Sequence, residues 1–141
     1  MATPVSVDTA YFVALIDPRD TLNARAIGLA KRLAHRGALL VTSDCVLIEL
    51  GNYFARSPLR VRAIEWIGAL RSAEGWEVAP SERALVTAGE ARYRAHPDKS
   101  WSVTDCISME LMADRAIRDI ATTDRGFAQA GYRVLLDPTT P

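Results

Sequence analysis

The stretch VSVDTAYFVALID, residues 5–17, decides how the rest of the chain is read. Its opening, VSVD, is a short strand-like run, and AYFVALI continues as an apolar helix that breaks at DPRD. Working outward, the alternation persists. LNARAIGLAKRLAHRG reads as an amphipathic helix closing on Gly37, because glycine takes the left-handed conformation that ends many helices. ALLVTS (38–43) is a strand and DCVLIELGNYFARS a helix. Pro58 suits the first turn of a further helix ending near Ser72. WEVAP (76–80) is a short strand, followed by a helix from Ser81 to Ala95 and the loop HPDKS. Ser102 then caps a helix, RDIATTD (118–124) is a strand, DRGFAQAG a helical turn and YRVLLD (132–137) a last strand. Strands separated by helices predict an α/β fold with a mostly parallel central sheet covered on both faces. In such sheets ligands bind outside the carboxyl ends of the strands.

The 141 residues fit one domain, with a core spanning about residues 5–136. At 49% hydrophobic and 24% charged, the composition can bury an ordinary globular core. Basic and acidic residues number 17 each, so no global positive field announces a nucleic-acid partner, although local basic patches can coexist with an acidic site. Asp8 interrupts the N-terminal apolar run and no basic region precedes it, which argues against a signal peptide or membrane helix. Cys45 and Cys106 are isolated, which argues against a disulfide scaffold or a zinc site and reads them as small core residues. A cytoplasmic protein without membrane association is expected.

Four acids do not fit their surroundings. Asp8 follows VSV and Asp124 follows IATT, both at strand ends, with Thr9 and Thr123 adding hydroxyls at the same rim. Asp105, at about 100° per residue, shares a helical arc with Met109, Met112 and Ala116, while Glu110 and Asp114 fall opposite. Glu49 lies in the apolar arc of its helix with Cys45 and Tyr53. Each has a bland explanation. Asp8 and Asp124 could cap helices, Asp105 could close a capping box with Ser102, and Glu49 could meet an arginine. Four together point elsewhere: converging carboxylates repel one another unless a cation sits among them. A hard divalent ion with oxygen ligands, Mg²⁺ or Mn²⁺, is the natural guest. His35 and His96 read as exposed polar residues rather than ligands.

VDTAYFVALID, the glutamate of VLIELGN, SVTDCIS and TTDRGF resemble, in order and over nearly the whole chain, the four signatures of the PIN-domain family. In particular they look like the VapC-type toxins of bacterial toxin–antitoxin pairs. The resemblance implies a three-layer α/β/α sandwich and a Mg²⁺- or Mn²⁺-dependent ribonuclease. It implies an acidic catalytic and metal site at Asp8, Glu49, Asp105 and Asp124, supported by Thr9 and Thr123. Asp98 and Ser102, in DKSWS, match a segment of one branch and join as lesser supporting residues. Two positions depart from the pattern. Gly126 and Asn23 stand where many relatives carry histidine, which bears on substrate contacts rather than on the acids.

The chemistry expected is hydrolysis of RNA phosphodiesters by an activated water, without a protein nucleophile. RNA contacts are expected from Arg56, Arg60, Arg62, Lys99, Trp101 and Arg125, although arginines on helix faces are usually solvated surface. A homodimer is expected because Phe54, Leu59, Ile64, Trp66, Ile67 and Leu70 exceed what one small core needs. A small cognate antitoxin is the expected protein partner, laying an apolar segment in a groove and presenting a basic residue to the acids. The alternatives are a PIN-like RNA- or protein-binding module without catalysis, a housekeeping RNA-processing nuclease, and a small-molecule phosphatase. The last is disfavoured because Ala10 stands where aspartyl-phosphate enzymes place a second aspartate.

Overall fold

The structure, a computed structural model, describes residues 2–136. Its strands are β1 (Pro4–Val7), β2 (Leu39–Ser43), β3 (Trp76–Ala79), β4 (Asp119–Ala121) and β5 (Arg133–Val134). Its helices are α1 (Thr9–Ile16), α2 (Asn23–His35), α3 (Asp44–Tyr53), α4 (Arg60–Leu70), α5 (Arg83–Ala95), α6 (Val103–Arg115) and α7 (Gly126–Gln129). The five strands form one all-parallel sheet in the order β3-β2-β1-β4-β5. Val5 of β1 sits opposite Leu40 on one side and Asp119 on the other.

The period-2 alternation of the strands sorts side chains into two cores. Val5 and Val7 point into a cluster with Tyr11, Phe12, Leu29, Leu33, Leu47 and Leu50, drawn from α1, α2 and α3, with α4 adding Ala63, Ile67 and Leu70. Val41, Ala79 and Ile120 point into a second cluster with Trp101, Met109, Met112 and Phe127. The sheet is therefore covered on both faces, the three-layer α/β/α sandwich expected of the fold. α5 packs chiefly on α6, and a Cβ on Gly89 would come 2.4 Å from Ile107 Cγ1 and 2.9 Å from its backbone nitrogen. Only glycine allows that approach.

Some expected boundaries move. β4 stops at Ala121, so Asp124 lies on the loop beyond the strand rather than at its last residue. β5 covers only Arg133–Val134, and Asp137 of the expected strand lies outside the described residues. Pro58 precedes α4 instead of opening its first turn. Ala116, expected on the apolar stripe of α6, is instead the exposed residue that ends the helix, at φ 53° in the left-handed region. The apolar surplus assigned to a dimer face is mostly consumed by the core: Phe54, Ile67 and Leu70 are buried, and Leu59 and Trp66 half-buried. Of the six only Ile64 remains exposed, with Val61 beside it. Among the described residues no helix is long and apolar enough to cross a membrane.

Candidate active site

Strand order fixes where the site opens. The chain steps from β1 to β2 and β3 on one side, then crosses to β4 and β5 on the other. The direction reverses between β1 and β4, and open parallel sheets bind ligands beyond the strand ends at that point. There lies a cleft of about 490 Å³ lined by Asp8, Glu49, Asp105 and Asp124, together with Thr9, Ser102 and Thr123. All four acids singled out in the sequence face one opening, each delivered by a different element.

Asp8 stands at the junction of β1 and α1. Its backbone N–H donates to the Ala121 carbonyl at 3.1 Å, extending the β1–β4 pairing to the cleft floor. Its extended backbone caps α1, but its side chain makes no cap hydrogen bond. Instead Oδ2 accepts from the Thr122 hydroxyl at 3.0 Å, while Oδ1 is buried with no hydrogen-bond partner among the described residues. The neighbouring Thr9 Oγ1 is orphaned in the same way. Burial, then the nearby Asp105 and Glu49 carboxylates, push the Asp8 carboxyl up to about 7 despite the Thr122 hydrogen bond.

Asp105 answers to two duties at once. Ser102 Oγ accepts from the Asp105 N–H at 3.0 Å and Asp105 Oδ2 accepts from the Ser102 N–H at 2.9 Å, a complete capping box. The carboxylate still lines the cleft, since a cap engages one of its two oxygens. Its pKa is raised, first by burial and then by Asp124 and Glu49, against the hydrogen bonds from Ser102. Met109 and Met112 behind it are fully buried, as the helical arc predicts.

Glu49 is half-buried, so the arc it shares with Cys45 and Tyr53 is the border of the core rather than its centre. Tyr53, one turn on, is 63% exposed at the cleft mouth. Asp124 is exposed, and its Oδ1 accepts from the Gly126 N–H at 2.8 Å, a local turn that sets the carboxylate's direction. Gly126, one of the two departures from the motif pattern, sits against Trp101: a Cβ there would lie 2.9 Å from the indole Cδ1 and 3.0 Å from Asp124 Oδ1. Asn23, at the other departure, donates to the Ala14 carbonyl at 2.8 Å and ties α2 to α1.

The remaining expectations divide. Asp98 is exposed, 3.7 Å from Lys99, and outside the cleft lining. Trp101 is buried in the second core, its indole N–H donating to Gln129 at 3.2 Å, so it is not an RNA-contact surface. His96 is half-buried against the Trp101 ring, not exposed. Arg60 bonds the Ala55 carbonyl and Arg62 the Ile16 carbonyl, and neither they, Arg56 nor Arg125 lines the cleft. Two contributors went unread. Asp20 lines the cleft, held by the Leu22 N–H on its Oδ1. Thr122, not its neighbour Thr123, holds Asp8, and its Oγ1 also accepts from the Asp124 N–H at 3.1 Å. Strand alternation carries the signal: counting from buried Ile120, Thr122 shares its side and Thr123 does not.

None of the four acids pairs with a lysine or arginine among the described residues, and among those residues no three potential ligands already stand close enough together to hold a metal. The oxygen-only donor set and the orphaned Asp8 Oδ1 and Thr9 Oγ1 nonetheless fit a hard divalent cation. Mg²⁺ keeps several waters and takes only one or two carboxylates, so it does not require a closed protein shell.

No family model matches the sequence, and no curated protein matches it. Solved structures do. VapC20 of Mycobacterium tuberculosis, described as a sarcin–ricin loop cleaving toxin, superposes with a TM-score of 0.81 at 23% identity, over 91% of this chain and 95% of that one. FitAcB from Neisseria gonorrhoeae matches with a TM-score of 0.66 at 15% identity, over 97% of this chain and 99% of its own. DNA-bound VapBC from Salmonella typhimurium matches with 0.62 at 16%, over 95% and 97%. The chain has the fold of these proteins, as the motif resemblance anticipates.

Proposed function

We propose that the protein is a metal-dependent ribonuclease that hydrolyses RNA phosphodiester bonds, acting as the toxin of a toxin–antitoxin pair. The observation that carries this reading is the gathering of four acids at the switch point of the sheet, in a cleft whose lining holds no lysine or arginine among the described residues. Asp44, Glu77, Glu110 and Asp119 each meet an arginine elsewhere in the molecule; these four acids pair with no lysine or arginine among the described residues. Fold likeness to VapC20, VapBC and FitAcB supports the toxin role and a small antitoxin partner.

Asp8 and Asp105 would hold the ion, with Glu49 and Asp124 at its flanks. Bound there, Mg²⁺ or Mn²⁺ offsets the negative charge of the phosphate and lowers the pKa of a water. The chain's own residues arrange the rest. Thr122 fixes the rotation of the Asp8 carboxylate, leaving Oδ1 directed away from that hydrogen bond. The Ser102 N–H restrains Asp105 through Oδ2. Glu49, half-buried in the cleft lining, would take the proton of the attacking water, and the buried Thr9 hydroxyl would offer a further oxygen. The exposed Val61 and Ile64 of α4 are the apolar remainder available to a second copy in the expected homodimer.

The test is cleavage of ribosomal RNA and of a synthetic sarcin–ricin hairpin by purified protein with Mn²⁺, with Mg²⁺ and with EDTA. Cleavage that needs the metal and disappears in Asp8→Asn is expected. Cleavage persisting in EDTA removes the metal from the mechanism, and RNA binding without any cleavage leaves a binding module.

A further inference from the structure

A second depression, of about 640 Å³, lies between the end of α5 and the start of α6, its lining including Tyr93, Arg94, His96, Lys99 and Val103 and one acid, Glu90. It adjoins the acidic cleft through the backbone itself: Ser102 lines the cleft and Val103 the depression. Consecutive Cα atoms are about 3.8 Å apart. We propose that this depression binds a nucleotide of the RNA strand flanking the bond to be cut, with the Tyr93 ring under its base and Arg94 and Lys99 on its phosphate. The proposal rests on the ribonuclease reading above and adds to it where the strand runs.

Three observations support it. A strand carrying one negative charge per phosphate is repelled by four carboxylates and needs cations beside them. Arg94 has no ion-pair or hydrogen-bond partner among the described residues, whereas Arg92, two residues earlier, is spent on Glu110 at 3.2 Å. Lys99 meets only the 72% exposed Asp98 at 3.7 Å, a contact that water and a phosphate easily replace. Tyr93 is half exposed, although a tyrosine of a helix–helix pair usually buries its ring. An aromatic next to cations is the arrangement that holds single-stranded nucleic acid, by stacking and phosphate contact together. Finally, the wall is rigid. The His96 ring lies 4.9 Å from buried Trp101, and His96 Nδ1 is 2.9 Å from the Arg92 carbonyl. The His96 side of the depression is thus anchored to the second core, beside the Tyr93 ring that would receive the base. Arg94 also sits in the last turn of α5, where a cation complements the helix dipole, but that role leaves its guanidinium free to bind.

The experiment measures fluorescence anisotropy of a labelled mixed-sequence single-stranded 12-mer RNA with the full chain in EDTA, so that binding is read without cleavage. Tyr93→Ala is expected to weaken binding about fivefold or more, since stacking contributes roughly 1–3 kcal/mol per base. Arg94→Ala should lower affinity and reduce the slope of log K against log salt by about one. Circular dichroism melts confirm that both exposed substitutions leave the fold intact. Affinity and salt slope equal to wild type in both variants overturn the proposal, as does wild-type protein that does not bind the RNA. Tight wild-type binding lost in the variants, with no cleavage of ribosomal RNA or the sarcin–ricin hairpin in Mn²⁺, upholds the nucleotide site and overturns the nuclease reading instead.

Discussion

At the amino end of the sheet Asp119 is met by Arg133 at 3.0 Å and Arg36 at 3.9 Å; at the carboxyl end Asp8 is met by a threonine hydroxyl and other acids. Both ends hold an opening of about 490 Å³, so size does not separate them. Charge compensation does. Asp119 and Arg133 face each other in register across β4 and β5, the cross-strand pairing that stabilises a sheet. Asp8 is buried with one oxygen unpartnered, a condition that costs free energy and persists only where something else recovers it. Asp119, which supports the sheet, is paired with two arginines. At the cleft Asp8 has no cationic partner among the described residues, and the acids beside it raise its pKa instead.

The comparison breaks most visibly at Asp105. Asp105→Asn should reduce RNA cleavage on the order of 100-fold or more, the scale at which several kcal/mol of charge stabilisation are lost. Asn still accepts the Ser102 N–H, so the capping box and the start of α6 survive. Removing a charge from a crowded cluster should hold or raise the melting temperature of the metal-free protein, and Mn²⁺ should stabilise the variant less than wild type. Wild-type cleavage by this variant would leave Asp105 as a cap alone.

That dual role shows how much of the site the sequence made legible. The capping box and the acidic site looked like rival explanations of Asp105, yet one carboxylate oxygen closes the box while the residue still lines the cleft. The α/β alternation was readable because each strand is a short apolar run and each helix carries its own period and punctuation, such as Gly37 at φ 65°. The four acids were readable because strand ends and helical arcs place them without tertiary knowledge. Trp101 was misread for the opposite reason. In DKSWS its neighbours are polar, and nothing local reveals that Gly126, far along the chain, leaves room for the indole. Thr122 was missed because its partner, Asp8, is 114 residues away. Distant pairings of this kind are set by sheet order, which local pattern does not specify.

A second, smaller effect separates the two ends by pH. The Asp8 carboxyl is pushed from 3.8 to about 7 in the folded protein. Between those values the folded state holds a proton that the unfolded chain has released. Stability of the metal-free protein should therefore be greatest below about pH 4 as far as this group is concerned, and fall as pH rises toward 7. The slope is on the order of 1.4 kcal/mol for each pH unit in that window. Asp105, shifted in the same direction, adds to it. Denaturant melts in EDTA across pH 4.5–7.5 should show the decline, and Asp8→Asn should flatten much of it. Saturating Mn²⁺ should oppose it, because the cation favours the deprotonated carboxylates. A wild-type profile in EDTA that is flat over this range would mean that Asp8 is charged in the fold and finds compensation there.

The smallest effect is expected at the compensated end. Asp119→Asn removes the charge shared by Arg133 and Arg36, whose side chains are 67% and 45% exposed. Water can solvate both arginines once the carboxylate is gone, so the loss is that of a surface ion pair, about 0.2–1 kcal/mol. Asn keeps an oxygen to accept the Arg133 hydrogen bond, which holds the β4–β5 register. RNA cleavage should be unchanged, since Asp119 lies at the opposite end of β4 from the loop that carries Thr122 and Asp124. Urea melts and cleavage rates measured side by side with Asp105→Asn make the contrast quantitative. Asp105→Asn should lose activity and keep stability; Asp119→Asn should keep activity and lose a little stability. If Asp119→Asn instead slowed cleavage as much as Asp105→Asn, the two ends would be one electrostatic system. Absence of countercharge at the cleft would then no longer distinguish the acids that act from those that only hold the sheet.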